Sequence, residues 1–283
     1  MNTPVTIIIH TLNEEENLPH ALDNVIGWAN QVCVVDSEST DRTQAIAREK
    51  GAELYSRTCT RQGLVDQRNW ALSSIPFQNE WVFVLDADEI MEESLKSEVG
   101  LITNLNNSSI DGYWCRWKAI FMGRWIKHAS MYPTWSLRLF RHRVVRYEQR
   151  EVNSHPLVSP GRSDYLKNHI LHIDHRGFTN YLKRLDEFST LESRAYYRTI
   201  HRTDQSNLFR GSIFGSVTER RRFFKNIFIK LPFRPLIIFS YLYIGRLGFL
   251  DGRAGFDFCL WKALIEWSIT LKMMEIDSRR KSE

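Results

Sequence analysis

Val82-Phe83-Val84-Leu85 runs directly into Asp86-Ala87-Asp88-Glu89, and the reading of this stretch decides the fold. Four consecutive apolar residues describe a strand covered on both faces, as in a parallel sheet. The acids then fall at or just past its carboxyl end, where open α/β sheets bind their ligands. Two carboxylates one residue apart at a strand exit can share a hard divalent cation, which in turn suits a phosphate-bearing substrate.

Working outward, the first hundred residues alternate strand and helix. Val5 to Ile9 is an apolar, β-branched run, and Leu18, Ala21, Leu22, Val25, Ile26 and Ala29 then keep one helical face apolar, with Pro19 tolerated in the first turn. Val32 to Val35 reads as a second strand. Its helix starts after Ser39-Thr40-Asp41 and stops near Gly51. A weaker strand over Ala52 to Arg57 precedes a helix around Leu64 to Ile75, which Pro76 ends. Repeated β-α-β units imply an α/β fold, a mostly parallel sheet with helices on both faces. A further helix carries Leu95, Val99, Ile102 and Leu105. Residues 112 to 158 are rich in Trp, Tyr and Arg, and Ser136 to Arg141 alternates as a half-buried strand does. A long helix follows, with Phe178, Tyr181, Leu182, Leu185, Phe188 and Ala195 expected to face inward.

The chain's 283 residues, 43% hydrophobic and 25% charged, exclude a disordered protein and suit one large domain or a core with an appendage. We expect one domain over 1–205, split near 110 into two halves, and a basic, amphipathic region over 206–283. Four scattered cysteines, none in a CxxC pair, suit neither a zinc site nor a disulfide framework and favour a reducing, cytoplasmic setting. No basic stretch precedes the first strand, so no signal peptide is expected. Between Arg210 and Arg234 lie seven basic residues and one acid, Glu219. Leu236 to Ile244 is apolar but only nine residues long, and Phe256 to Met274 is interrupted by Asp257, Lys262, Glu266 and Lys272. A bilayer span takes about twenty apolar residues. Both segments therefore read as elements lying in the plane of an anionic membrane surface, with Phe223, Phe224, Phe228 and Phe233 as apolar contacts, or as a lid folded on the core. Basic residues beside aromatics also fit nucleic acid. Acids at three strand exits and the lack of any nucleic-acid-binding motif argue for no nucleic acid.

Three strand exits bring polar groups to one sheet edge: Thr11-Leu12-Asn13-Glu14-Glu15, Asp36-Ser37-Glu38-Ser39-Thr40-Asp41, and Asp86-Ala87-Asp88. Asp41 fits a helix cap equally well. Asp36, ending a buried strand, suits a base or ribose.

Thr6 to Leu18 (TIIIHTLNEEENL), Val34 to Thr43 (VVDSESTDRT), Gln67 to Ala71 (QRNWA) and Leu85 to Glu89 (LDADE) resemble glycosyltransferase family 2, a GT-A fold. Gly123 to His128 (GRWIKH), Leu137 to Arg141 (LRLFR) and Leu247 to Phe256 (LGFLDGRAGF) are similar to its lipopolysaccharide-core glucosyltransferase branch. The resemblance implies that Thr11, Asn13, Glu14 and Asp36 hold the donor's base and ribose, with Arg68 near the base or diphosphate. Asp86 would touch ribose or metal, and Asp88 would be the principal ligand of Mg²⁺ or Mn²⁺. A third ligand would be His172, with His155 second. It further implies an inverting transfer from a nucleoside-diphosphate sugar, UDP-sugar favoured, to a lipid-linked saccharide at the inner face of the cytoplasmic membrane. The branch's His-Glu-His stretch is Asn153-Ser154-His155 here, so the base position lacks its carboxylate. Glu151 is the nearest substitute and Asp174 the next. An already ionised lipid phosphate would need no base, which keeps a polyprenyl-phosphate sugar transferase in view. A non-catalytic nucleotide-sugar- or nucleic-acid-binding protein is the reading from another class. The aromatic residues Trp114, Trp117, Trp125, Tyr132 and Trp135 suit either sugar platforms or core packing. Lys127 and His128 suit an acceptor phosphate or an open surface.

Overall fold

The computed structural model describes residues 2–58, 64–105, 109–130, 132–147, 156–158, 162–201 and 217–282. Two compact units emerge: Met1–Trp125 with Tyr132–His175, and Ile126–Met131 with Arg176–Glu283. The chain therefore divides at Arg176, where the sequence suggested a boundary near 205.

In the first unit, β1 (Thr3–Thr11), α1 (Leu18–Val25), β2 (Ala29–Asp36), α2 (Thr43–Glu49), β3 (Glu53–Ser56), α3 (Leu64–Ser74) and β4 (Trp81–Asp86) follow the anticipated alternation. Then come β5 (Glu89–Met91), α4 (Glu93–Leu105), β6 (Gly112–Phe121), β7 (Arg124–Trp125), β8 (Thr134–Arg141), β9 (Arg146–Tyr147), β10 (Pro156–Leu157) and β11 (Ser163–Ile173). One large sheet runs β3-β2-β1-β4-β8-β6-β11-β5, with β7 on β6. From β3 to β4 all neighbours are parallel, as are β6 and β11. β8 runs antiparallel to both β4 and β6, and so joins the two parallel parts.

Period-two alternation sends β1 to two cores. Val5, Ile7 and Ile9 join Leu18, Leu22, Ala47, Leu95 and Val99 on one face, while Ile8 joins Val82, Val84, Ala71 and Phe140 on the other. Helices thus cover both faces, α1, α2 and α4 on the first and α3 on the second. Burial on both sides explains the unbroken apolar runs. It also corrects the half-buried reading of β8, whose residues 137–141 are all buried, because it is a central strand. Gly51 ends α2 at φ +80°, the conformation a glycine cap supplies. The described cysteines Cys33, Cys115 and Cys259 are free and buried.

The second unit holds α5 (Gly177–His201), α6 (Val217–Phe228), α7 (Arg234–Ser240) and α8 (Gly252–Ser282). α5 inverts the expectation from its apolar periodicity. Phe178, Leu182 and Phe188 are 46–50% exposed and Ala195 is exposed as well, while Ser189, Ser193, Tyr196 and Tyr197 are buried. Small serines let α5 approach its neighbour α8 closely, and their hydroxyls donate to Asp186 O and Thr190 O of their own helix. Arg234, counted above among the surface cations, is 4% exposed and donates to Ile229 O and Thr270 Oγ1. No helix among the described residues is long and apolar enough to cross a membrane.

Two motifs far apart in the sequence meet in this unit. The Asp251 carboxylate accepts the backbone N–H groups of Lys127, His128 and Ala129, and its Oδ1 lies 2.8 Å from His128 Nδ1. Glycines make the close approach possible. A Cβ on Gly248 would stand 2.7 Å from Leu242 O, and one on Gly255 would overlap the Gly248 carbonyl and lie 2.6 Å from Asp251 Cβ. Because backbone cannot yield as a side chain can, Gly255→Ala should cost at least about 2 kcal/mol. A fall of roughly 5 °C in melting temperature checks this; an unchanged transition contradicts it.

Candidate active site

The register of the parallel strands brings the three acidic exits together. Thr11 pairs with Asp36 across β1 and β2, and His10 pairs with Asp86 across β1 and β4. The loops after β1, β2 and β4 therefore leave from adjacent positions on one edge.

The first two loops are tied to each other. Asp36 is 0% exposed, and its Oδ1 accepts Thr11 Oγ1 and Ser39 Oγ while Oδ2 accepts Ser39 N and Gln44 Nε2. All the lone-pair positions of a carboxylate are then filled. Asp36 thus ties the loops of the rim together; the sequence also placed it against the donor's base or ribose. Asn13, at φ 56°, accepts Thr40 N through its side chain and donates its own N–H to Ser39 Oγ. Asp41 accepts Thr43 N at the start of α2 and also Glu15 N, the capping use of that acid. From α3, Gln67 donates to Ser37 Oγ, and Arg68 lies 5.3 Å over the Tyr147 ring with its Nε buried and without a partner. Asn69 clasps the Tyr147 backbone through both its N–H and its carbonyl. The spacing of QRNWA therefore serves three different contacts.

Asp86 and Asp88 part company. Arg138, from the middle of β8, reaches Asp86 Oδ2 at 3.0 Å and Glu89 Oε1 at 2.6 Å. Asp86, expected to touch ribose or metal, thus has one carboxylate oxygen on a guanidinium. Burial would raise its carboxyl, but the charges of Arg138 and Arg68 outweigh that and hold it down at about 2. Glu89, 1% exposed, is pushed up to about 8 by burial against the pull of Arg138, with the charge on Asp86 adding to the rise. One guanidinium serves two acids, and the more buried acid keeps the higher proton affinity. Burial, with Arg68 beside it, drives His10 down to about 3, so its imidazole stays neutral.

Asp88 faces β11 instead. Its Oδ2 lies 3.4 Å from His172 Nε2, and its carbonyl accepts Ile173 N. Among the described residues no group of three His, Cys, Asp or Glu is placed to hold a metal. This pair nevertheless suits one, since two ligands each about 2.1 Å from an ion, in neighbouring coordination positions, stand 3–3.5 Å apart. Substrate oxygens and water can complete such a shell, as magnesium-type sites commonly arrange.

Asn17, 0% exposed, binds the NEEEN loop to the end of β11. Its Nδ2 donates to Glu14 Oε2 and to Asp174 Oδ1, and its Oδ1 accepts His175 N. The His175 ring stacks on His20 at 3.8 Å, and burial and His20 push its proton affinity down. Asp174 thus follows His172 by two residues on the same strand exit. Glu151 and His155 lie outside the described residues.

Sequence reasoning missed Arg138, Glu89, His10 and Asn17. Arg138 carried a usable signal, because an arginine inside an apolar strand needs an acid, and DADE supplied three. For Asn17 no comparable signal exists, since its partners are 157 and 158 residues away.

The model of the family described as "Glycosyl transferase family 2" matches residues 6–170. An uncharacterized glycosyltransferase of Rickettsia conorii is 36% identical over 103 residues, which are 36% of this chain and 35% of that protein. A 4,4'-diaponeurosporenoate glycosyltransferase of Staphylococcus haemolyticus is 41% identical over 61 residues, 21% of this chain and 16% of that one. The chain spans about a third of the length of the first curated relatives it matches. Among solved structures, S. aureus TarS 1-349 gives a TM-score of 0.44 at 16% identity, covering 93% of this chain and 90% of that one. Glucosyl-3-phosphoglycerate synthase from Mycobacterium tuberculosis, in complex with Mn²⁺, uridine diphosphate and glucosyl-3-phosphoglycerate, gives 0.32 at 21% identity, over 41% and 43%. With well over half of its residues inside the matched span, and the family's strand-exit acids gathered at one sheet edge, the chain belongs to glycosyl transferase family 2.

Proposed function

We propose that the chain transfers a sugar from a nucleoside-diphosphate sugar, UDP-sugar favoured, to a lipid-linked saccharide of an envelope glycan such as lipopolysaccharide core. The observation that carries this reading is the Asp88–His172 pair at the rim where the β1, β2 and β4 exits converge. Mg²⁺ or Mn²⁺ held by Asp88 and His172 would supply positive charge to the diphosphate as it leaves. Asn13, Glu14 and Arg68 stand on the surrounding loops and α3 to receive the nucleotide, with Asp36 and Thr11 fixing the loops beneath.

In the reaction the acceptor hydroxyl oxygen bonds to the anomeric carbon from the side opposite the diphosphate. The bond from that carbon to the diphosphate oxygen breaks, and the diphosphate departs with the electron pair. The hydroxyl proton passes to a carboxylate, and Asp174 is the described candidate beside the Asp88–His172 pair. Asp174→Asn should lower kcat at least about 100-fold and leave the affinity for UDP within a factor of about two. Unchanged kcat would remove Asp174 from this role and leave Glu151.

Placement at the inner face of a membrane is supported by the second unit's surface. Phe224, Phe233, Leu236, Ile244 and Leu250 are 58–75% exposed. Between Arg220 and Gly255 the sequence has one acid, Asp251, and its side chain is 3% exposed. Exposed apolar side chains in a stretch with an excess of basic residues suit the interface of an anionic bilayer. The full chain should sediment with phosphatidylglycerol vesicles, and the variant Phe233→Ser, Leu236→Ser, Ile244→Ser, Leu250→Ser should stay in the supernatant. Equal sedimentation of the two would contradict this placement.

A further inference from the structure

The part of the sheet made by β6, β7, β8 and β11 has one face packed against α4, through Tyr113, Cys115, Leu166 and Ile170. Its other face bears a different chemistry. Residue pairing puts Arg116 beside Trp135 on β8 and His169 on β11, and sets Trp125 beside Ile120, two residues beyond Lys118. All these side chains therefore leave the sheet on the side away from α4.

Aromatic rings and cations interleave there. The Arg116 guanidinium lies 5.8 Å from the Tyr132 ring and 5.4 Å from the Trp135 ring, and the Lys118 ammonium lies 5.1 Å from the Trp125 ring. Trp125 meets Tyr132 edge to face at 5.3 Å, and Trp135 meets Tyr165 likewise at 4.8 Å. Core aromatics would be sealed, yet Trp125 is 37% and Tyr165 57% exposed. Arg116 Nε is buried with no hydrogen-bond partner, although one terminal nitrogen donates to Lys167 O at 2.5 Å. Lys167 is itself exposed on this strand. Against these three cations, the acid that meets the face among the described residues is Glu92, which lies 3.4 Å from Lys118 Nζ and 3.6 Å from His169 Nε2.

We propose that this aromatic and cationic sheet face binds an anionic saccharide, its rings packed on Trp125 and Trp135 and its phosphate or carboxylate held by Arg116 and Lys118. Pyranose rings present C–H groups that pack on aromatic faces, and a guanidinium matches phosphate and carboxylate oxygens in a two-pronged geometry. An Arg near two rings and hydrogen-bonded to a backbone carbonyl has a restrained fork, so less freedom is lost on binding. The inference rests on the reading of the chain as a transferase with a saccharide acceptor, and it narrows that acceptor to a charged one.

The test uses the full chain and follows the indole N–H resonances of Trp125 and Trp135, assigned through Trp125→Phe and Trp135→Phe. Glucose 6-phosphate, digalacturonate and neutral maltose are the probes, with inorganic phosphate as the control for charge alone. Glucose 6-phosphate or digalacturonate should shift both resonances with an apparent Kd at least tenfold below that of maltose and of inorganic phosphate. Whichever of the two binds tighter names the anionic group. Arg116→Gln should weaken that binding at least tenfold and Arg116→Lys less, while UDP binding to each variant stays unchanged, which shows that the variants fold. Maltose binding as tightly as the charged sugars would overturn the proposal, as would still indole resonances in a protein that binds UDP. A tighter response to oligouridylate than to any sugar would also overturn it, by assigning the face to nucleic acid. Indole shifts with the charged sugars in a chain that fails to bind UDP would keep this site and sink the donor reading.

Discussion

Replacing Asp88 by Asn is expected to lower turnover at least about 10³-fold, while the melting temperature moves by no more than about 2 °C. Asn keeps the shape of the side chain and one carbonyl oxygen, but removes the negative charge facing His172 Nε2. The fold does not depend on that charge, because the Asp88 contact to β11 that closes the edge is a backbone one, from Ile173 N to Asp88 O. In the proposed reaction catalysis depends on it, because charge would develop on the diphosphate as the sugar leaves and a cation site without its carboxylate would not fill at ordinary metal concentrations. Raising Mn²⁺ should recover part of the lost rate. A variant with wild-type turnover in the presence of a chelator would remove the metal role from Asp88 altogether.

Arg138→Met should have the largest effect on stability, about 3–5 kcal/mol. The Arg138 side chain is 10% exposed and lies between Asp86 and Glu89, whose side chains are 39% and 1% exposed. Removing the guanidinium leaves Asp86 and the deeply buried Glu89 side by side with no counter-charge. The loss corresponds to a fall of roughly 10 °C in melting temperature. Glu89→Gln in the same chain should restore a good part of it when measured above pH 8, since the acid whose ionisation burial and Asp86 both oppose is then gone. Such recovery separates an electrostatic cause from a packing one. If the double variant is as unstable as Arg138→Met alone, the pairing described here does not hold the strand.

Much of this fold was legible because burial on both faces leaves a plain mark. Val5 to Ile9, Val32 to Val35 and Val82 to Leu85 could hardly be anything but inner strands, and all three are. The convergence of their exits follows from parallel pairing alone. What misled was amphipathic periodicity, which names a face without saying what it meets. On α5 the apolar row of Phe178, Leu182 and Phe188 is the exposed side, and the helix packs through Ser189 and Ser193. α8, part of the region read as amphipathic, has two apolar sides. Cys259, Trp261, Ala263 and Ile269 are buried, while Leu260, Leu264, Trp267 and Leu271 are 39–56% exposed. β8 looked half-buried because Arg138 and Arg141 alternate with apolar residues. Both are inside, one on Asp86 and Glu89 and the other on Glu80. In the site, the meeting of Asp36 and Asp86 at one sheet edge was readable from parallel pairing, but the hydrogen bonds of Asp36 to Thr11, Ser39 and Gln44 were not, because they depend on how the loops fold back.

In the proposed reaction the rim grips a cation-bound diphosphate through Asp88 and His172. Calorimetric titration of the full chain with UDP, once in MnCl₂ and once in EDTA, is the decisive measurement. UDP should bind at least tenfold tighter with Mn²⁺, and His172→Ala should lose that difference. Equal UDP affinity in the two buffers, or a full Mn²⁺ effect without His172, would contradict it.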